Sequence, residues 1–233
     1  MPTVNPSPRT VLTTRYAAAL DYARVLHADD VRKGTNIPYL SHLMSVSALV
    51  LEHGGSEDQA IAALLHDAAE DHGGDKMLDK LHAEFGAVVA DIVRACSDSL
   101  VEDPSTKAPW IERKKAYLAH LADRRHTPDM VVLVSAADKL HNARAILADY
   151  RRYGEALWER FNPAARGAGS CWYYDRLAVV LCERLDPLGS AAAALGSELR
   201  RTVDATLREV RGKRPDLDTE MESFDASPDG HPA

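Results

Sequence analysis

The stretch "HDAAED", His66 to Asp71, closes the apolar run "AIAALL" and puts an imidazole and three carboxylates together with no cation among them. A helix C-terminus carries partial negative charge and favours Lys or Arg, so three acids in that place call for a positive charge from outside the sequence. His66 and Glu70 are four apart, as are Asp67 and Asp71. Residues four apart lie on one helix face, while neighbours differ by about 100°. The four side chains are therefore expected as two adjacent stripes at one helix end. Imidazole nitrogen with carboxylate oxygen suits Mn(II), Fe(II) or Zn(II). His66 and Asp67 are candidate ligands, and Glu70 and Asp71 are placed to orient or deprotonate a water at such an ion.

Further ligands must come from elsewhere in the chain. His42 lies in "PYLSHLM", on a segment whose other residues are mostly apolar, and Asp138 follows the apolar run "VVLVSAA". Each also has a plainer reading. A lone His on an apolar helix is more often a hydrogen-bonded core residue, and Asp138 beside Lys139 reads equally well as an ion pair on a solvated face.

The elements that must position these residues are helical almost throughout. Ser56 is a good N-cap for "EDQAIAALLHDAAED", read as one helix that Gly73-Gly74 stops. Pro38 is expected to open the helix that carries His42, and Gly54-Gly55 to end it. Helices are also expected over "RYAAALDYARVLHADD", "KMLDKLHAEF", "AVVADIVRACSD", "IERKKAYLAHLAD", "DMVVLVSAADKLHNARAILADYR", "CWYYDRLAVVLCERL" and "LGSAAAALGSELRRTVDATLREV". "VRKGTNI" and "SLVEDPSTKAPW" read as loops, and "GEALWERFNPAARGAGS" as a short helix and a connection. The fold class expected is all-α, a single compact helical bundle over residues 11–210. Residues 1–10 are expected as a disordered lead and 211–233 as a loose polar tail. "ERKK", Glu112 to Lys115, reads as a solvated face, and Trp172, Tyr173 and Tyr174 read as core more readily than as pocket walls.

Composition excludes several classes. The 233 residues carry a formal net charge of -7, so a nucleic-acid partner is not expected. Cys96, Cys171 and Cys182 form no C-x-x-C pair, which points to reduced thiols in a cytoplasmic protein. "MPTVNPSPRT" lacks the apolar core of a signal peptide, and no apolar run reaches spanning length, so no membrane partner is expected.

Taken together, His42, His66-Asp67 and Asp138 resemble the H…HD…D signature of the HD-domain metal-dependent phosphohydrolases. "RKGTNIPYLSH", "AALLHDAAED" and "ADKLHNAR", in this order and spacing, are similar to the hydrolase domain of the Rel/SpoT family, best to its small alarmone hydrolases. The resemblance runs over about residues 13–150. It implies an all-α HD bundle and one Mn(II) held by His42, His66, Asp67 and Asp138, with Fe(II) or Zn(II) as other candidates. It implies Glu70 and Asp71 as the catalytic pair, and Arg32, Lys33, Tyr39, Asn142 and Arg144 as substrate contacts. Arg144 reads equally as a surface cation. Lys139 and His141 are left to supporting roles. Gly34 to Ile37 depart from the family's usual basic loop.

The activity implied is hydrolysis of the 3′-pyrophosphate of (p)ppGpp, a small-molecule nucleotide, to GDP or GTP and pyrophosphate. With no room for a synthetase domain, degradation alone is expected. Two other readings share the site: a nucleotide phosphatase acting on the 2′-phosphate of NADPH or on a nucleoside monophosphate, and a non-catalytic module that senses a nucleotide.

Overall fold

Every residue from Ala60 to Leu65 is fully buried, so helix α3 (Glu57–Leu65) is apolar on all sides beyond its polar first turn and lies at the centre of the molecule. Its start is fixed by a capping box. Ser56 Oγ accepts from the Gln59 amide, and Gln59 Oε1 accepts from the Ser56 amide. Around it pack α1 (Thr14–Leu26), α2 (Leu40–Glu52), α6 (Ala87–Cys96) and the long α8 (Asp129–Tyr153). Between these run the one-turn α4 (Ala68–Asp71) and α5 (Gly74–Phe85). A second layer of α7 (Trp110–Ala122), α9 (Arg166–Leu185), α10 (Ser190–Arg211) and α11 (Leu217–Ala226) packs on the other side of α8.

This computed structural model describes residues 9–101 and 104–226. Residues 1–8 of the expected lead and 227–233 of the expected tail lie outside the described residues. The all-α expectation holds: among the described residues the only β pairing is an isolated bridge between Val31 and Pro38. "VVLVSA" is helix, inside α8. No helix among the described residues is long and apolar enough to cross a membrane.

Three expectations need correction. The helix over residues 57–71 is interrupted at His66-Asp67 and resumes as α4. Asp67 adopts φ -94, ψ -6, in the bridge region, where the regular hydrogen-bond ladder is lost. Helix α2 begins at Leu40 rather than Pro38, because Pro38 pairs back to Val31 and closes the loop. The tail is not loose as far as Ala226. Leu217, Met221 and Phe224, spaced four and three apart, are buried and seat α11 on α9. The Phe224 ring stacks on Trp172 at 5.8 Å, and Trp172 Nε1 donates to Asp225 Oδ1 at 2.8 Å. Gly169 makes room for that ring, since a Cβ there would stand 3.0 Å from Phe224 Cζ.

Candidate active site

The interruption after Leu65 aims the His66 ring inward. His66 Nδ1 lies 2.8 Å from the Ala63 carbonyl, which can only accept, so Nδ1 carries a proton and Nε2 is the nitrogen left to face an ion. That Nε2 is 3.0 Å from Asp67 Oδ2 and 3.7 Å from Asp138 Oδ1. From α2, His42 brings its Nε2 to 3.2 Å from Asp138 Oδ1 and 3.9 Å from Asp67 Oδ2. Its other nitrogen, Nδ1, is 2.8 Å from His141 Nδ1, so the rings share one proton there. Both histidines are buried, and neither Nε2 makes a hydrogen bond of acceptable geometry. Buried polar atoms are almost always satisfied. Two orphaned imidazole nitrogens converging on two carboxylates are the donor set of a divalent ion with nitrogen and oxygen preferences.

Electrostatics agree with that fit. Burial disfavours charge on His66, yet Asp67 and Asp138 overcome it and push its pKa well above the usual value, so without an ion the cluster recruits a proton. Burial would raise Asp67, but the charge on His66 beside it holds it well below the carboxylate range. Asp138 is likewise held low against burial, first by Lys139, whose Nζ donates to Oδ2 at 2.6 Å. Burial, with the charges of His42 and Arg32, lowers His141 to about 4 and keeps that ring neutral beside His42.

Glu70 and Asp71 from α4 reach the same cavity, a pocket of about 250 Å³ that Asp67, Asp138, Lys139 and Asn142 also line. Burial, then the carboxylates of Asp98 and Asp67, raises Glu70 to about 7. Burial and Asp67 raise Asp71 to about 6. Opposite Glu70, Asp98 is pinned by Lys114 and by Arg113, the latter at 2.5 Å. "ERKK" is therefore not wholly a solvated face: Lys114 points into the pocket, because the loop after α6 places Asp98 against α7.

Tyr39 and Asn142 line both this pocket and an adjoining cleft of about 580 Å³. Tyr39 OH donates to Asp67 Oδ2. Asn142 Nδ2 donates to Asp138 Oδ1 at 2.6 Å while its Oδ1 accepts from Arg32 Nη2 at 2.6 Å, so one chain of bonds joins the basic loop to the buried carboxylate. Arg32 also lies over the Tyr39 ring at 5.8 Å. Lys33 lines the cleft from the exposed side of the loop. Gly34 has φ +72, and a Cβ there would stand 2.6 Å from Arg160 Cδ. That close approach brings Arg160, a cation the sequence reading passed over inside a presumed connection, into the cleft wall. Tyr174 lines the cleft and Tyr173 the carboxylate pocket, whereas Trp172 is core. Arg144 is not among the lining residues. It lies two residues past Asn142, about 200° round the helix, and pairs with Glu198 of α10 at 2.5 Å.

The HD domain family profile matches residues 19–166, more than half of the chain. A relative named probable guanosine-3′,5′-bis(diphosphate) 3′-pyrophosphohydrolase, from Synechocystis sp., is 32% identical over 157 residues, covering 65% of this chain and 20% of that protein. A guanosine-3′,5′-bis(diphosphate) 3′-pyrophosphohydrolase from Danio rerio is 33% identical over 140 residues, covering 59% of this chain and 69% of the relative. The chain thus spans a fifth of the first relative's length and just over two thirds of the second's. A solved structure, described as a metazoan ortholog of SpoT that hydrolyzes ppGpp, superposes with a TM-score of 0.58 at 24% identity, covering 86% of this chain and 97% of that one, and shares its fold. With the family profile running through every residue of the His/Asp cluster, the chain belongs to the HD-domain family.

Proposed function

We propose that this chain is a divalent-metal-dependent phosphohydrolase that removes the 3′-pyrophosphate of (p)ppGpp, giving GDP or GTP and pyrophosphate, with Mn(II) as its ion. The observation that carries the reading is the pair of orphaned Nε2 atoms on His42 and His66, facing Asp67 and Asp138 at the foot of a pocket that also holds Glu70 and Asp71. The names of the relatives support the substrate.

His42, His66, Asp67 and Asp138 would hold the ion. When bound there, it supplies Lewis acidity, easing deprotonation of water and offsetting charge on a phosphoryl oxygen. Glu70, with a pKa raised to about 7, is matched to taking the water's proton near neutral pH. Asp71 helps hold that water in line. The water oxygen bonds to the phosphorus on the 3′-oxygen, the bond from phosphorus to the 3′-oxygen breaks, and that oxygen leaves and takes up a proton. Arg32 and Lys33 give the cleft the local positive charge that a polyphosphate requires in a chain of net charge -7, and Arg160, paired with Asp149 at 2.9 Å, stands beside them in the wall. Tyr174 and Phe161 offer aromatic walls to a base. The free thiols of Cys96, Cys171 and Cys182 accord with a cytoplasmic setting.

The test is product identity. Mn(II)-loaded protein is incubated with ppGpp and, separately, with NADPH and nucleoside monophosphates, and the products are resolved by ion-exchange chromatography. Pyrophosphate and GDP from ppGpp, absent in Asp67→Ala, are expected. Orthophosphate from NADPH or a monophosphate, with ppGpp intact, would reassign the substrate. No turnover with nucleotide bound would make the chain a sensing module.

A further inference from the structure

On the far side of Tyr39 lies a second cluster that the proposed reaction does not use. Helix α1 ends at His27, Asp30 follows in the next turn, and His72 follows Asp71 at the end of α4. His27 Nδ1 is 2.8 Å from Asp30 Oδ2, His72 Nε2 is 2.9 Å from the same oxygen, and the two nitrogens are 3.2 Å apart. The Tyr39 ring stands between the clusters, its centroid 5.4 Å from that of His27 and 5.4 Å from that of His42.

We propose that His27, Asp30 and His72 form a second binding site, separate from the His42 cluster, for a borderline divalent transition ion such as Zn(II) or Co(II). Donors about 2.0–2.1 Å from one ion, at tetrahedral or octahedral angles, stand about 2.9–3.4 Å apart. The observed triangle of 2.8, 2.9 and 3.2 Å matches one face of such a polyhedron. Two imidazoles and one carboxylate are a nitrogen-rich set that favours transition ions over Mg(II) or Ca(II). Both ring nitrogens reach the same Asp30 oxygen and stand 3.2 Å from each other, so three donor atoms from the end of α1, the turn after it and the end of α4 converge on one point. His27 Nε2 is buried without a hydrogen-bond partner, so nothing on that side fixes the ring's tautomer. The His27 side chain is fully buried while Asp30 and His72 are 41% and 27% exposed, which leaves the open coordination positions facing solvent. Such an ion would clamp the end of α1 to the end of α4. It would thereby hold Tyr39 and the basic loop that begins at Arg32, two residues past Asp30.

The inference does not depend on the proposed reaction, and its test reads metal rather than activity. Metal-stripped protein is titrated with Co(II), following visible absorption, and with Zn(II), following bound metal after desalting. The wild type is expected to take two equivalents, His72→Ala one, Asp67→Ala one and the double variant none. His72→Ala removes a partly exposed side chain and Asp30→Asn changes one atom, so both leave the buried His27 side chain itself in place; their metal-free melting temperatures check the fold. A single equivalent lost in Asp67→Ala and untouched by His72→Ala would overturn the site. So would two equivalents persisting in both His72→Ala and Asp30→Asn.

Discussion

Glu70 has an ordinary pKa near 4.5 and a folded value raised to about 7, chiefly by burial and then by Asp98 and Asp67. A carboxyl raised on folding binds its proton more tightly in the native state. The metal-free protein should therefore lose stability as pH rises from about 4.5 to about 7. Glu70→Gln removes that penalty. Urea unfolding of metal-free protein at pH 8 should show the variant more stable, by on the order of 1–3 kcal/mol, with no advantage below pH 4. The same substitution should lower kcat by about 10²–10⁴-fold with metal bound, the range for loss of a general base. Arg144→Ala should leave kcat/KM unchanged, because its 44% exposed side chain serves only Glu198. At this scale His66 and Asp67 were legible as candidate ligands from their types and spacing, whereas His42 and Asp138 joined them only through the resemblance of the three motifs. Lys114 was not. On an amphipathic helix with three successive cations, which one turns inward depends on where the loop bearing Asp98 lands.

Two elements set the geometry of the site, and each contains a local departure from regular structure. The interruption at His66-Asp67 lets α3 end in the core while α4 re-aims Glu70 and Asp71. The sequence pattern ran on unbroken there, because no Gly or Pro marks a break that tertiary packing imposes. The loop at 31–38 depends on Gly34, whose left-handed φ and contact with Arg160 exclude a Cβ. Gly34→Ala should destabilise the protein by about 1–2 kcal/mol and raise KM more than it lowers kcat, measured by thermal unfolding and steady-state kinetics. Helix α11 was hidden by the polar and proline-rich composition around it, although Leu217, Met221 and Phe224 already had helical spacing. Phe224→Ala should cost about 3 kcal/mol in chemical unfolding, since the ring fills the space above Gly169 and against Trp172.

Across the whole molecule, α2 and the long α8 bring side chains more than ninety positions apart, His42 and Asp138, to within 3.2 Å. The all-α class followed from periodicity and Ala/Leu content, and it carries the His/Asp cluster inside the first layer. The cleft walls were less legible because they join both layers: Arg160, Phe161 and Tyr174 come from segments beyond the strongest motif similarity. The measurement that bears most directly on this account is pyrophosphate release from ppGpp by metal-stripped protein as Mn(II) is restored, with Asp138→Asn run in parallel. The account predicts no release without metal, saturable recovery in the wild type, and at least a hundredfold loss in Asp138→Asn. Release that persists in the stripped protein, or that Asp138→Asn retains at the same Mn(II), would contradict it.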